Sequence, residues 1–198
     1  MNAPAKTDPM EKTELRKAAL EYWKDFLAKP AAGAMAQNWR KFLLERMEGN
    51  PGAYFGFYAL PSEFDVMSDL RTVGASVHLP RVLSKTEIAF YRYLDRGEPV
   101  APLVKGSFGI QEPGPGALQA YPAPGDTLIV PSVSANGAGY RLGRGGGYYD
   151  RLTEKEGFRQ MYKCSLIPEK LLDAAFKEES HDLRLNKIVT EERIVSYP

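Results

Sequence analysis

TLIVPSVSANGAGYRLGRGGGYYDR, Thr127 to Arg151, decides how the chain is read. Leu128-Ile129-Val130, closed by Pro131, is an apolar run too short for a helix and marks a buried strand. A loop crosses Ser132 to Tyr140. Five glycines, three arginines and three tyrosines then share Gly139 to Arg151, and a helical pattern runs from Tyr148 to Glu156. Strand, glycine loop and helix in that order put the loop at the carboxyl end of a strand, where α/β sheets collect ligands.

Working outward, the same alternation continues in both directions. Downstream come a strand at Met161 to Ile167, a short helix over Pro168 to Ala175, and KIVT near the end. Upstream, Ile88 to Leu94 and Ala75 to Pro80 read as strands, Glu63 to Val73 as a helix, and Ala53 to Leu60 as a short buried strand bounded by Pro51 and Pro61. Met35 to Met47 has a helical pattern. In Glu11 to Leu27, apolar Leu15, Ala19, Tyr22 and Phe26 recur at helical spacing, and Pro30 and Gly33 end the run. Alternating strands and helices predict a mostly parallel sheet covered on both faces. Pro99 to Gly125 is a long loop rich in proline and glycine, and the apolar residues of GSFGIQEP (Gly106 to Pro113) favour order there.

At 198 residues the expectation is a single domain with its own core. Lys and Arg number 26 against 25 Asp and Glu, a formal charge of +1, so no global field draws the chain to nucleic acid or an anionic membrane. Any anion site must be local. Cys164 stands alone, which excludes an internal disulfide or a cysteine-based zinc cage and fits a reducing cytoplasm. The N-terminal MNAPAKTDPMEKTELRK lacks the apolar core of an export signal, and no later run is long enough to span a membrane.

From the residues alone, the glycines can bring backbone N–H groups close to an anion, and Arg141 and Arg144 can add forked, charged donors. Asp150 can hold a divalent cation bridging phosphates. The alternative is a plain flexible turn, since the stretch fits neither of the common glycine-rich nucleotide motifs. A disordered Arg-Gly tail is disfavoured because the segment is internal and leads into a helix.

Val130-Pro131 followed by Gly139 to Asp150 closely resembles the signature of the 5-formyltetrahydrofolate cyclo-ligase family. KTELR (Lys12 and Arg16), FYALPSEFD (with Tyr58 and Glu63), HLPRV (His78 to Val82), FGIQEP (Phe108 to Pro113) and HDLRLNKIVTEE (with Asp182) resemble further family blocks in the same order. Ser132, Ala135, Asn136 and Asn186 depart from the family pattern.

The resemblance implies a three-layer, Rossmann-like α/β/α sandwich of the NagB/RpiA/CoA transferase-like kind. It implies ATP-dependent cyclisation of 5-formyltetrahydrofolate to 5,10-methenyltetrahydrofolate, with Mg²⁺ on Asp150 and Asp182. Arg144, Gly145, Gly146 and Gly147 would cradle the transferring phosphoryl group. ATP would also meet Lys12, Arg16, Arg141, Gly143, Tyr148, Tyr149 and Asp150, while Tyr58, Glu63 and Tyr148 would face the folate. The expected partners are these small molecules, taken up by a cytoplasmic monomer.

Overall fold

The computed structural model describes residues 11–49 and 52–198. Residues 1–10, which carry the reading of an unexported chain, and Pro51, read as a strand boundary, lie outside the described residues.

The chain opens with helices α1 (Lys12–Leu27) and α2 (Ala31–Gly49), then β1 (Tyr54–Phe55), α3 (Met67–Thr72), β2 (Val77–Val82) and β3 (Ile88–Asp95). Four short strands follow, β4 (Glu98–Pro99), β5 (Leu103–Lys105), β6 (Gln111–Pro113) and β7 (Gln119–Ala120), before β8 (Thr127–Ile129). β9 (Ser134–Ala135), β10 (Arg141–Leu142), α4 (Tyr148–Glu154), α5 (Glu156–Arg159), β11 (Tyr162–Leu166), β12 (Lys187–Val189) and β13 (Ile194–Ser196) complete it.

Five strands run parallel in the order β12-β11-β8-β1-β2. β13 adds an antiparallel edge beside β12, and β3 lies antiparallel to β2, with β4 and β7 pairing along it. Successive strand side chains point to opposite faces. Tyr54, Ile129 and Val189 therefore pack with Trp23, Trp39, Phe42 and Leu70 of α1 to α3. Their neighbours Phe55, Leu128 and Ile188 pack with Leu152 and Phe158 of α4 and α5. The result is the expected three-layer α/β/α arrangement. Cys164 sits in the first of these cores, where burial pushes its thiol up to about 12 and keeps it protonated.

α1 is fastened to the functional end of the sheet. The Trp23 ring N–H donates to Val133 O at 3.1 Å, and Ala19 packs with Val133, Leu142 and Phe176. Lys12 and Arg16 are thereby held near the glycine stretch.

Several boundaries differ from the sequence expectation. The first strand is only two residues long, and the helix after it starts at Met67, where Asp65 Oδ1 accepts the Met67 N–H at 2.9 Å. Glu63 thus lies in a loop and not in a helical first turn. The helix expected over Pro168 to Ala175 shrinks to a 3-10 turn at Glu169–Leu171, and Asp173 takes a left-handed φ of 55° that no continuing helix tolerates. The Tyr148 to Glu156 helix breaks at Lys155, whose ψ of 128° is extended. The proline-rich loop is ordered: β5 and β6 pair as a hairpin, and β7 joins β3. Among the described residues no helix is long and apolar enough to cross a membrane.

Candidate active site

β1 leads through α3 to β2 on one side, while β8 leads through α4 and α5 to β11 on the other. Strand order therefore reverses between β1 and β8, and sheets of this kind bind ligands in the crevice at such a reversal. A cavity of about 690 Å³ lies there. Its wall is drawn from the segment after β1 (Phe57, Tyr58, Leu60, Glu63), from β2 and β3 (Pro80, Val82, Ile88), from Pro131 after β8, and from Arg141 to Arg151. Lys12 and Arg16 of α1 and the turn Glu179 to Asp182 close one side. Every site residue named from the sequence lines this one cavity.

The glycine stretch owes its shape to missing side chains. Gly145 and Gly147 adopt φ of 98° and 65°, a region costly for other residues. At Gly143 a Cβ would fall on Arg141 Nη1. Arg141 is the most enclosed charge of the site, 5% exposed, and its Nη2 donates to Asp150 Oδ1 at 2.9 Å. Burial pulls its guanidinium below the ordinary value, and the Asp150 carboxylate opposes that pull. Its Nε is buried without a hydrogen-bond partner among the described residues.

The other cations are held in the same way. Arg16 Nε donates to Gly143 O at 2.9 Å. Lys12 Nζ donates to Asp182 Oδ2 at 2.7 Å and lies 3.5 Å from Glu179 Oε1. Burial alone would raise Asp182, but the Lys12 hydrogen bond and the Glu179 N–H outweigh it and hold the carboxyl below its ordinary value. Arg144 reaches across the cavity, its Nε donating to Glu63 Oε1 and its Nη2 to Ser62 Oγ, each at 2.8 Å. Glu63 Oε2 accepts the Leu60 N–H at 2.9 Å. The sequence assigned Arg144 to phosphate and Glu63 to folate; here the two hold one another.

Two carboxylates suit a hard divalent cation. Asp150 Oδ1 accepts from Arg141 and from Leu183 N–H at 3.3 Å, and Asp182 Oδ2 accepts from Lys12 and from Glu179 N–H at 2.8 Å. The second oxygen of each has no hydrogen bond among the described residues, which leaves one hard donor per residue. Ligand atoms of Glu179, His181 and Asp182 lie within 4.8 Å of one another, so His181 sits beside one of these carboxylates.

The cavity wall also carries an apolar set: Phe57, Leu60, Pro80, Val82, Ile88 and Ile110. Tyr149 also lines the cavity, edge-on to Phe90 with ring centroids 6.5 Å apart. Burial pushes its phenol up, so it remains protonated. Tyr148 O–H donates to Ser84 O at 3.3 Å.

Sequence reasoning missed several lining residues. Arg151 Nε donates to Thr86 O and its Nη2 to Gly146 O, at 2.8 and 2.7 Å, which ties the glycine stretch to the β2–β3 turn. Its presence inside the quoted stretch was the available signal. Glu112 and Ile110 come from FGIQEP, a block noted without a role. Ser132, Ala135, Asn136 and Asn186, which depart from the family pattern, are not among the residues that line the cavity. Asn136 Oδ1 accepts the N–H groups of Ala138 and Tyr140 within its own loop, and Asn186 Oδ1 accepts Lys163 N–H.

Comparison with known proteins agrees with this geometry. Residues 11–191 match the model of the 5-formyltetrahydrofolate cyclo-ligase family. The chain is 33% identical over 92 residues to the 5-formyltetrahydrofolate cyclo-ligase of Mycolicibacterium smegmatis, covering 46% of this chain and 47% of that one. It is 32% identical over 127 residues to the enzyme of the same name from Haemophilus influenzae, covering 63% and 66%. The matched stretches thus span about half to two thirds of these relatives. The solution structure of 5,10-methenyltetrahydrofolate synthetase from Aquifex aeolicus superposes with a TM-score of 0.77 at 26% identity, over 95% of this chain and 93% of that one. With the family match running through both carboxylates and the whole glycine stretch, the chain belongs to the 5-formyltetrahydrofolate cyclo-ligase family.

Proposed function

We propose that this chain, a single-domain cytoplasmic monomer, cyclises 5-formyltetrahydrofolate to 5,10-methenyltetrahydrofolate at the expense of ATP, releasing ADP and phosphate. One observation carries the proposal: a single cavity is lined both by the glycine stretch with its cations and by a set of apolar side chains, so a triphosphate and a reduced bicyclic ring can meet in one space.

The formyl oxygen attacks the terminal phosphorus of ATP, the bond to the bridging oxygen breaks, and ADP leaves. The neighbouring amine nitrogen then bonds to the activated formyl carbon. Cleavage of the carbon–oxygen bond expels phosphate, the amine proton departs, and the methenyl bridge remains. No protein nucleophile is needed, so the work is positioning and charge neutralisation.

Arg144 and the N–H groups of Gly145 to Gly147 would surround the transferring group, and Arg141, fixed by Asp150, would keep positive charge beneath it. Lys12 and Arg16 would steady the remaining phosphates. Asp150 and Asp182 would hold Mg²⁺, which when bound offsets phosphate charge. Pro80, Val82, Ile88 and Ile110 would exclude water from the ring, with Tyr58, Glu63 and Tyr148 at its margin.

The test is the absorbance of the methenyl product made by purified protein. It should grow only when 5-formyltetrahydrofolate, ATP and Mg²⁺ are all present. A flat trace with all three contradicts the assignment.

A further inference from the structure

Six acids line the cavity, and five are accounted for. Glu63 holds Arg144, Asp150 holds Arg141, Asp182 and Glu179 lie on Lys12, and Glu154 is exposed to water. Glu112 is different. It is 6% exposed, yet no cation lies within ion-pair distance of it among the described residues. Its neighbour Arg81 is committed elsewhere, donating to the carbonyls of Pro113 and Gly114 and lying 4.0 Å over the Tyr91 ring. Glu112 Oε1 accepts one long hydrogen bond, from Val82 N–H at 3.3 Å, and Oε2 accepts none among the described residues. Oε2 is not among the sealed-off polar atoms and Glu112 lines the cavity, so a ligand donor can reach this otherwise poorly matched carboxylate.

Its surroundings say which ligand. β6 brings Glu112 against β2, where Val82 N–H meets its carboxylate, so Glu112 shares the cavity wall with the apolar side chains of Pro80, Val82, Ile88 and Ile110. A carboxylate in such a wall orients a largely apolar ring through its N–H groups. Glu63 is less available for this, because Arg144 and Leu60 N–H each take one of its oxygens.

The geometry points to Glu112 as a specificity-determining residue whose carboxylate accepts a hydrogen bond from a ring N–H of the reduced pterin. This rests on the function proposed above and adds a recognition group to it. An analogue that lacks the N–H leaves the buried acceptor unmatched and is rejected.

The experiment is steady-state kinetics with each substrate varied in turn on the wild type, Glu112→Met and Glu112→Gln, together with melting curves with and without ATP. Glu112→Met should raise KM for 5-formyltetrahydrofolate by about 10- to 100-fold and leave KM for ATP within about twofold, as expected for loss of a charged buried acceptor. Glu112→Gln keeps the size and an acceptor for Val82 N–H but presents an amide donor to the ring donor. Its folate KM should rise at least about fivefold, and its melting shift with ATP should equal that of the wild type.

A folate KM within about twofold of wild type in both variants overturns the inference. So does a parallel change in both KM values with a lowered melting temperature, which marks Glu112 as a packing residue only. A wild type that forms no methenyl product overturns the parent function and this inference together, whereas normal wild-type turnover beside unaffected variants removes Glu112 alone.

Discussion

The cations that line the cavity with the glycine stretch already hold partners: Lys12 with Asp182, Arg16 with Gly143 O, Arg141 with Asp150, Arg144 with Glu63, Arg151 with Thr86 O and Gly146 O. Elsewhere in the wall Phe57, Val82, Ile88 and Ile110 present hydrocarbon, together with Glu112, a carboxylate that has no ion-pair partner among the described residues. Under the proposed function the first set would act as preorganised electrostatics, with donors fixed before charge arrives and little reorganisation left for the reacting state. The second would select by shape and by the exclusion of water. One fold supplies both because the strand order reverses between β1 and β8, bringing a loop from each side to the same crevice.

Substitutions in the two sets should therefore fail differently. Arg144→Ala should cut turnover by about 10²- to 10³-fold, the usual loss for one donor to a developing charge. Folate binding, measured by calorimetry, should be largely retained; unchanged turnover would break the contrast.

Gly143→Ala comes next. Its Cβ would fall on Arg141 Nη1 and displace a buried ion pair, so a melting experiment should show a loss of about 1–3 kcal/mol and ATP should bind more weakly. A variant as stable as wild type would mean the stretch is not tightly built.

Ile88→Val trims one methylene from a side chain that is 5% exposed, at a cost of about 0.5–1.5 kcal/mol. Its kinetic effect should appear in KM for folate and not for ATP. The smallest effect is expected at Lys155, whose ion pair with Glu87 at 2.8 Å is open to solvent on both sides. Lys155→Ala should change stability by no more than about 0.5 kcal/mol and leave both KM values alone.

The same contrast governs what could be read from sequence. The charged set is nearly contiguous: Arg141, Arg144, the glycines and Asp150 sit in one stretch, and Lys12 and Arg16 are one helical turn apart. β8 announced itself by an apolar run and α1 by helical periodicity. β9 and β10 are two residues each, too short for any period to register, and pair with each other; the strand expected over Ala53 to Leu60 survives as Tyr54–Phe55, placed by pairing with β2 and β8.

The apolar set is assembled from the segment after β1, β2, β3 and the β5–β6 hairpin, so no single stretch displays it. The Glu63–Arg144 pair spans 81 positions and the Glu112–Val82 contact 30. Neither the mutual pairing of the first two nor the isolation of Glu112 has a local signature. His181 precedes Asp182 in the chain, so that neighbour was legible; what the fold of the turn adds is Glu179, whose carboxylate lies within 4.8 Å of both ligand atoms.

The central claim is that naked amides in the glycine stretch receive phosphate oxygens. It is tested most directly by following the backbone ¹H–¹⁵N resonances of Gly143, Gly145, Gly146 and Gly147 while a non-hydrolysable ATP analogue and Mg²⁺ are added. The account predicts saturable shifts at these four glycines, with Gly114 and Gly116, beyond the β5–β6 hairpin, unmoved. Glycine amides that stay in place while the analogue binds elsewhere would contradict it.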